Sequence, residues 1–351
     1  PLDAFPDTTP NQVQVNTVAP SMTPEQIELL VTYPVELALG GLFVTTNFGA
    51  GIEQSHRAIH RAIERGINYI DTAPGYGDSE TVIGQALKGV TTPIVLSTKL
   101  GYKPDPFDPR DADLLLRSVH LSLERLGRDC IDVLMVHEAD RPGQFDWFTD
   151  RVHYDGPVMQ VLDELKAEGL IRHTGIGGTT AYELANVIRS GRFDVVLTAF
   201  TYNLLIREAA YDAIPAAAER NMGIVVGSPF LQGAFVRRYD EGVNHGLRWL
   251  SKPRRNQLKA LYALLDDIDM PITELALRLV LSNPHVSAVL QGARTAEEVD
   301  MNIAVAEKGP LPSDILIRLD EVAEMVPFTP RDEPPNLPLG SENWKGPKGA
   351  F

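Results

Sequence analysis

Short apolar runs alternate with amphipathic segments along the chain from about residue 35 onward. In the amphipathic segments apolar residues recur at helical spacing, as in Val158, Val161, Leu162 and Leu165, which predicts helices with one buried face. In the short runs almost every position is apolar, which is typical of strands buried on both faces of a parallel sheet. Together with an opening segment at 35–39, the predicted strands are 67–71, 94–98, 131–136, 172–176, 195–198, 224–226 and 288–290.

This alternation predicts one closed (β/α)₈ barrel, an α/β fold in which each of eight parallel strands is followed by a helix. Such a barrel takes about 250 residues, so a chain of 351 residues leaves a surplus. We predict an N-terminal arm at 1–34, the barrel with extended βα loops at 35–326, and a proline-rich tail at 327–351. The barrel region is predicted to end with a C-terminal helix at 314–325.

A doubly wound nucleotide-binding sheet is the alternative architecture. It requires a G-x-G-x-x-G turn directly after an early strand. The nearest match, at 175–180, lacks the final glycine and follows a middle strand. The pattern therefore favours the barrel.

Charge and cysteine content narrow the classes of function. Lys and Arg total 32 against 47 Asp and Glu, a formal net charge of −15, so no overall positive field attracts nucleic acid or an anionic membrane. No apolar run reaches the roughly 20 residues that cross a bilayer, and a single cysteine, Cys130, fits a reducing compartment. We expect a cytoplasmic protein that acts on a small molecule, without nucleic acid or membrane partners; assembly as a homo-oligomer is left open.

Titratable residues close three successive predicted strands: Asp71, Lys99 and His137. The C-terminal ends of barrel strands surround the mouth where active sites lie, and Tyr76 follows Asp71 in a proline- and glycine-containing turn that can return to this mouth. A neighbouring ammonium lowers the pKa of a phenol, so Lys99 is expected to make Tyr76 an acid and base, while Asp71 fixes the lysine. His137 is expected to orient a substrate oxygen. Because no metal-ligand spacing or nucleophile elbow occurs, we expect no metal site.

In this order on consecutive strands, Asp71, Tyr76, Lys99 and His137 resemble the catalytic tetrad of the aldo-keto reductase superfamily. Residues 66–84, which begin GINYIDTAPGYG, are similar to a signature of that family. The nearest resemblance is to its sugar dehydrogenase members, such as L-galactose and L-fucose dehydrogenases. The resemblance implies an NAD(P)(H)-dependent oxidoreductase that interconverts a carbonyl and an alcohol, with Tyr76 giving or taking the proton.

The resemblance also implies a nicotinamide cofactor at the barrel mouth. The positions that carry over as cofactor-binding are Gly177, Gly178, Ser228, Leu231, Gly233, Gly292, Ala293, Arg294, Glu298 and Asn302. The Gly177-Gly178 pair departs from the Ser-Asn of many relatives. Arg294 can grip a 2′-phosphate and favours NADP(H), whereas Glu298 stands where many NADP-preferring members carry arginine and leaves NAD(H) open.

The insertion at 138–155 predicts a polar substrate wall, because it contains Glu138, Asp140, Arg141, Gln144 and Asp146. We expect Tyr76, His137 and Trp147 to contact a small, sugar-like substrate, with the indole stacked on a sugar face. The alternative function is a regulatory subunit that binds NADP(H), senses redox state and turns over slowly, since a fold by itself does not settle function.

Overall fold

A computed structural model of the chain describes residues 36–40, 51–141, 146–329, 333 and 337–340. Eight parallel strands pair in sequence order and close into a barrel, since the eighth strand pairs with the first. The predicted (β/α)₈ fold is therefore confirmed. The strands are β1 (Glu36–Gly40), β2 (Tyr69–Asp71), β3 (Val95–Leu100), β4 (Ile131–His137), β5 (Ile171–Gly178), β6 (Val195–Ala199), β7 (Gly223–Gly227) and β8 (Ala288–Gln291).

Helices follow the strands and surround the barrel. Those in the described ranges are α1 (Ile52–Glu64), α2 (Ser79–Ala86), α3 (Ala112–Leu126), α4 (Pro157–Ala167), α5 (Ala181–Arg189), α6 (Glu208–Tyr211), α7 (Ala213–Glu219), α8 (Lys252–Ile268), α9 (Ile272–Leu281), α10 (Ala296–Ala306) and α11 (Ser313–Glu324). A 3₁₀ turn (Leu231–Gly233) and a π turn (Gly242–Gly246) lie after β7. Within these ranges, no helix combines the length and apolar composition that crossing a bilayer requires.

The predicted strand at 67–71 is longer than the observed β2. The N–H of Ile67 donates to the Ala62 carbonyl at 2.9 Å, and Gly66 before it has φ 93°. These features close the end of helix α1 in the manner of a Schellman motif. Residue 67 thus belongs to the helix end, and β2 begins at Tyr69.

Side-chain alternation along the strands separates two layers of the barrel core. Tyr69, Val133, Met135, Val195 and Leu197 lie in a cluster that fills the lumen, together with Val225, Ala288 and Leu290. Ile70, Leu134, Val136, Ile176 and Val196 pack outward against the helices. Because side chains alternate with a period of two residues, the next inward-facing residue of each strand, toward its C-terminal end, points into the barrel mouth. The packed lumen cluster lies below this mouth.

A separate hydrophobic cluster covers one flank of the barrel. It joins the loop after β6 and helices α8, α9 and α11 to Leu337 and Leu339 of the C-terminal segment. The predicted helix at 314–325 corresponds to α11. The division into arm, barrel and tail stays a prediction, because residues 1–35 and most of the tail lie outside the described residues.

Candidate active site at the barrel mouth

Three neighbouring strands bring Asp71, Lys99 and His137 to the barrel mouth. Asp71 and His137 are the last residues of β2 and β4, and Lys99 is the last but one of β3. Each is an even number of residues beyond a lumen residue: Tyr69, partly buried Val95, and Met135. Strand polarity and the two-residue period therefore place all three side chains on the inward face at the same end of the barrel.

Lys99 and Asp71 form a buried ion pair. Lys99 Nζ lies 2.5 Å from Asp71 Oδ2 and also donates to the Thr72 carbonyl at 2.7 Å. Ser97 Oγ donates to the other carboxylate oxygen, Asp71 Oδ1, at 2.9 Å. Burial lowers the pKa of Lys99, but the charge of Asp71 and the hydrogen bonds outweigh burial, so the pKa is raised and the ammonium is retained.

Tyr76 is carried back to the mouth by the turn that follows β2, in which its N–H donates to the Ala73 carbonyl at 3.0 Å. Lys99 Nζ lies 5.0 Å from the centre of the Tyr76 ring. Burial raises the pKa of Tyr76, and the charge of Lys99 lowers it by less, so the net pKa lies above its usual value. The charge of Lys99 lowers the pKa of Tyr76, as expected. The predicted net lowering of this pKa is wrong for the protein without substrate or cofactor, because desolvation of the phenol is the larger effect. Tyr76 is therefore a protonated acid at neutral pH.

His137 completes the group in its neutral form. Its ring packs edge-to-face on Tyr76, with the ring centroids 5.9 Å apart. Burial, and then the charges of Lys99 and Arg141, lower the pKa of His137 to about 3. A neutral imidazole donates one hydrogen bond from one ring nitrogen, which suits it to hold a substrate oxygen beside the Tyr76 hydroxyl.

Trp147 lies behind His137 rather than on the open face of the mouth. Its indole N–H donates to the His137 carbonyl at 2.9 Å, its ring packs on Phe107, and only 1% of the residue is exposed. The placement makes Trp147 a support for the backbone of His137. It does not favour the predicted stacking of Trp147 on a sugar, because no face of the ring is exposed.

Sequence reasoning missed two polar side chains of the mouth. Ser97 lies two residues before Lys99 on the same face of β3, so the two-residue period could have identified it. Tyr102 follows β3, and its ring packs edge-to-face on His137, with centroids 5.1 Å apart. No local signal identifies Tyr102, because its position depends on a loop conformation with φ 69°.

Packing against Asp140 explains why the second residue of the Gly177-Gly178 pair, at the end of β5, is a glycine. A Cβ atom at Gly177 would make ordinary contacts at 3.9 Å with Leu197 Cδ2 and the Val136 carbonyl, so the glycine is not required there by packing, and no side chain projects from this position. A Cβ atom at Gly178 would lie 2.6 Å from Asp140 Cγ. Asp140 Oδ2 accepts hydrogen bonds from the N–H groups of Thr179, at 2.6 Å, and Thr180. The Asp140 carboxylate thus takes the space that a side chain at position 178 would need.

The loop after β7 carries Ser228, Leu231 and Gly233 in left-handed turns, with φ values of 59°, 46° and 106°. In this conformation the N–H groups of Leu231 and Gly233 donate to the carbonyls of Ser228 and Phe230. Tyr239 Oη donates to the Gly233 carbonyl at 3.0 Å and ties this loop to the following segment.

The remaining predicted cofactor residues gather after β8. Gly292, Ala293 and Arg294 connect β8 to Thr295, whose Oγ1 accepts from the N–H of Glu298 at 3.2 Å and caps helix α10. Glu298 accepts from the Arg294 backbone N–H at 2.7 Å and from its guanidinium at 2.6 and 3.1 Å.

Asn302 donates to Gln291 Oε1 at 2.5 Å, while the buried Nε2 of Gln291 has no hydrogen-bond partner in the part of the chain that the structure describes. The lack of a side chain at Gly177 leaves room for a planar ring at the mouth, and the buried Gln291 donor beside α10 can bind a polar group there. The residues present are therefore compatible with a dinucleotide. Among the described residues, no cluster of His, Cys, Asp and Glu could hold a metal ion.

A (β/α)₈ barrel with a phenol, a buried ammonium–carboxylate pair and a neutral imidazole at its mouth defines a class of acid–base oxidoreductases. The aldo/keto reductase family model matches residues 39–324, and the chain belongs to this family, whose members use nicotinamide cofactors. Its chemistry is the interconversion of carbonyls and alcohols by hydride transfer.

Two curated relatives have related activities. The chain is 30% identical over 266 residues to an NADH-specific methylglyoxal reductase of Escherichia coli. This match covers 68% of the chain and 78% of the relative. It is 29% identical over 257 residues to L-galactose dehydrogenase of Arabidopsis thaliana, and this match covers 70% of the chain and 76% of the relative. A solved aldo-keto reductase of Bacillus halodurans in its holo form superposes with a TM-score of 0.69 at 27% identity, covering 85% of this chain and 94% of that one.

Proposed function

We propose that the protein reduces, or in reverse forms, the carbonyl of a small sugar-like substrate, with Tyr76 as the proton donor and acceptor. The observation that carries this proposal is the buried Lys99–Asp71 pair beside Tyr76 and the neutral His137. A bound nicotinamide cofactor supplies or accepts the hydride. Tyr76 gives its proton to the substrate oxygen, Lys99 stabilises the resulting phenolate, Asp71 and Thr72 hold the ammonium, and His137 orients the oxygen.

The sugar-like character of the substrate is supported by the polar rim of the mouth and by one of the relatives. Tyr102, Glu138 and Arg141 present hydroxyl, carboxylate and guanidinium groups beside His137. Polyhydroxylated molecules need such donors and acceptors, and the Arabidopsis relative is an L-galactose dehydrogenase. A regulatory redox sensor is the second candidate, and the complete acid–base group favours the enzyme over it.

Steady-state turnover against pH tests this function. We expect many turnovers of NADH or NADPH per protein with an aldehyde, and a reduction rate that is level through neutral pH and falls on the alkaline side as Tyr76 loses its proton. In the oxidation direction the rate should rise with pH, because the phenolate is the required base. With its pKa of about 3, His137 should add no step between about pH 5 and 8. A single turnover followed by retention of the oxidised cofactor would instead identify a sensor.

The choice between NADP(H) and NAD(H) depends on Arg294 and Glu298. Arg294 was expected to favour NADP(H), but its guanidinium is already paired with the Glu298 carboxylate. A carboxylate at the start of a helix also occupies the position that favours an anion. We therefore propose that the protein uses NAD(H) at least as well as NADP(H), and that Glu298 limits affinity for the 2′-phosphate.

Replacing Glu298 by Gln is expected to shift cofactor selectivity. Without the carboxylate, Arg294 can form charge-assisted hydrogen bonds with a 2′-phosphate, which are worth about 1.5–3 kcal/mol. The ratio of the Kd for NADPH to that for NADH should therefore fall about tenfold or more, as measured by fluorescence titration. Glu297→Gln is the matched control, since it removes the same charge from the same helical turn without touching Arg294. An equal shift in both variants would show a general charge effect and contradict the assignment to the pair.

The cytoplasmic location stays a prediction, and assembly as a homo-oligomer stays open. The first rests on the single cysteine and the acidic composition. Size-exclusion chromatography with light scattering measures the second.

A further inference from the structure

A polar bridge links the loops after β3 and β4 at the edge of the mouth. Tyr102 Oη donates to Glu138 Oε2 at 2.6 Å, and Arg141 Nη1 lies 3.2 Å from Glu138 Oε1. The Tyr102 ring packs against the ring of His137, and Glu138 directly follows His137 in the chain. The bridge therefore adjoins the residue that is proposed to hold the substrate oxygen.

The backbone is strained at Tyr102 and Glu138, the two residues that share the hydrogen bond of the bridge. Tyr102 has φ 69° and Glu138 has φ 51°, in the left-handed region that non-glycine residues rarely adopt. Such a conformation persists only where the surroundings enforce it, most often at functional sites. These two strained residues come from separate loops, and their side chains contact each other. We infer that the unusual backbone conformation sets the direction of both side chains.

The Glu138 carboxylate of the bridge is partly exposed, and its charge acts on the Tyr76 phenol. The Glu138 side chain is 15% exposed, so its carboxylate is not sealed from solvent. The negative charge of Glu138 contributes to the raised pKa of Tyr76, after the larger effect of burial. The His137 ring packs on both Tyr76 and Tyr102, so the carboxylate that accepts from Tyr102 lies beside the acid–base group.

We propose that Glu138, oriented by Tyr102, binds the hydroxyl groups next to the substrate carbonyl and selects neutral polyhydroxy carbonyl compounds. A carboxylate accepts hydrogen bonds from substrate hydroxyls, and a site built to bond a hydroxyl strongly rejects the analogue that lacks it. Its negative charge also disfavours substrates with a carboxylate or phosphate near the carbonyl. This inference rests on the proposed function and names the residues that determine its substrate class.

Glyceraldehyde and propanal provide the test, because they share chain length and aldehyde and differ by two hydroxyl groups. Glu138→Gln should lower kcat/KM for glyceraldehyde at least tenfold more than for propanal, as expected for losing hydrogen bonds to a charged group. Tyr102→Phe removes one hydroxyl and should lower the same ratio about three- to tenfold, since it removes the bond that orients Glu138. Glu164→Gln, on an exposed position of α4, is the control and should leave the ratio within about twofold.

The outcomes separate this inference from the proposed function. Equal losses for both aldehydes in the two variants would give the bridge a purely structural role and overturn the inference. No turnover of either aldehyde by the unchanged protein with NADH or NADPH would overturn the proposed function itself. Tyr102→Phe retains the ring on His137, so it tests the inference even where Glu138→Gln fails to fold. In Glu138→Gln the alkaline fall of the reduction rate should also move to lower pH, because one of the two negative charges that raise the pKa of Tyr76 is gone.

Discussion

Tyr76→Phe should lower kcat for carbonyl reduction about 10²- to 10⁴-fold, which is the range of general acid catalysis. The variant retains the ring beside Lys99 and loses only the hydroxyl that gives up the proton. Affinity for the cofactor should stay within about twofold, because the phenol acts on the substrate oxygen. Steady-state kinetics together with fluorescence titration of NADH and NADPH measure the two quantities separately.

Tyr69→Phe is the matched control for this substitution. Tyr69 is a buried phenol of the same lumen, two residues before Asp71 on β2. It belongs to the packed floor below the mouth, so its variant should retain kcat within about threefold. An unchanged kcat in Tyr76→Phe, or equal losses in the two variants, would contradict the assignment of Tyr76 as the acid.

Glu333→Ala should destabilise the protein by about 3–5 kcal/mol, because it leaves a buried guanidinium without its counter-charge. The Arg254 side chain on α8 is 0% exposed and that of Glu333 is 6% exposed. Arg254 Nε and Nη2 lie 2.9 and 2.6 Å from Glu333 Oε2. Through this pair Glu333 is tied to α8, which belongs to the hydrophobic cluster on the flank of the barrel. The loss should therefore appear in the free energy of unfolding measured with urea.

Two further variants test the cause of this loss. Glu324→Ala removes a carboxylate from an exposed position of α11 and should change the free energy of unfolding by less than about 0.5 kcal/mol. Replacing Arg254 and Glu333 together by Met and Leu should recover much of the lost stability, because two apolar residues of similar volume leave no buried charge. A loss below about 1 kcal/mol in Glu333→Ala would show that water reaches Arg254 and that the pair is not a buried one.

The barrel and the composition of its mouth could be predicted from local patterns. Strands such as β4 and β7 are short apolar runs between helices, and their number and order lead to one architecture because parallel strands need helical crossovers. The sequence identifies Asp71, Lys99 and His137 because a titratable residue that ends a buried strand of such a barrel is expected at its mouth. These inferences need only the direction and period of each strand.

Other features of the site were outside the reach of sequence reasoning. The pairing of Arg294 with Glu298 does not follow from the sequence, and it is the observation on which the proposed use of NAD(H) rests. The sequence predicts that Trp147 stacks on a sugar, but its burial behind His137 does not favour this role. Side chains with several rotamers and several partners choose among them by packing, which local spacing does not encode.

The amino-acid sequence alone determined the fold, the family resemblance and the four side chains of the proposed acid–base group, because strand period, the alternation of strands with helices and short motifs are read from neighbouring residues. Only the tertiary structure decided the direction of the Tyr76 pKa, because it depends on whether desolvation or the charge of Lys99 is larger. It also decided that Tyr102 meets Glu138, since these residues come from different loops and contact each other only when β3 and β4 lie side by side. Burial and contacts between distant residues are properties of the folded molecule, and they set the chemistry of groups that the sequence could only name.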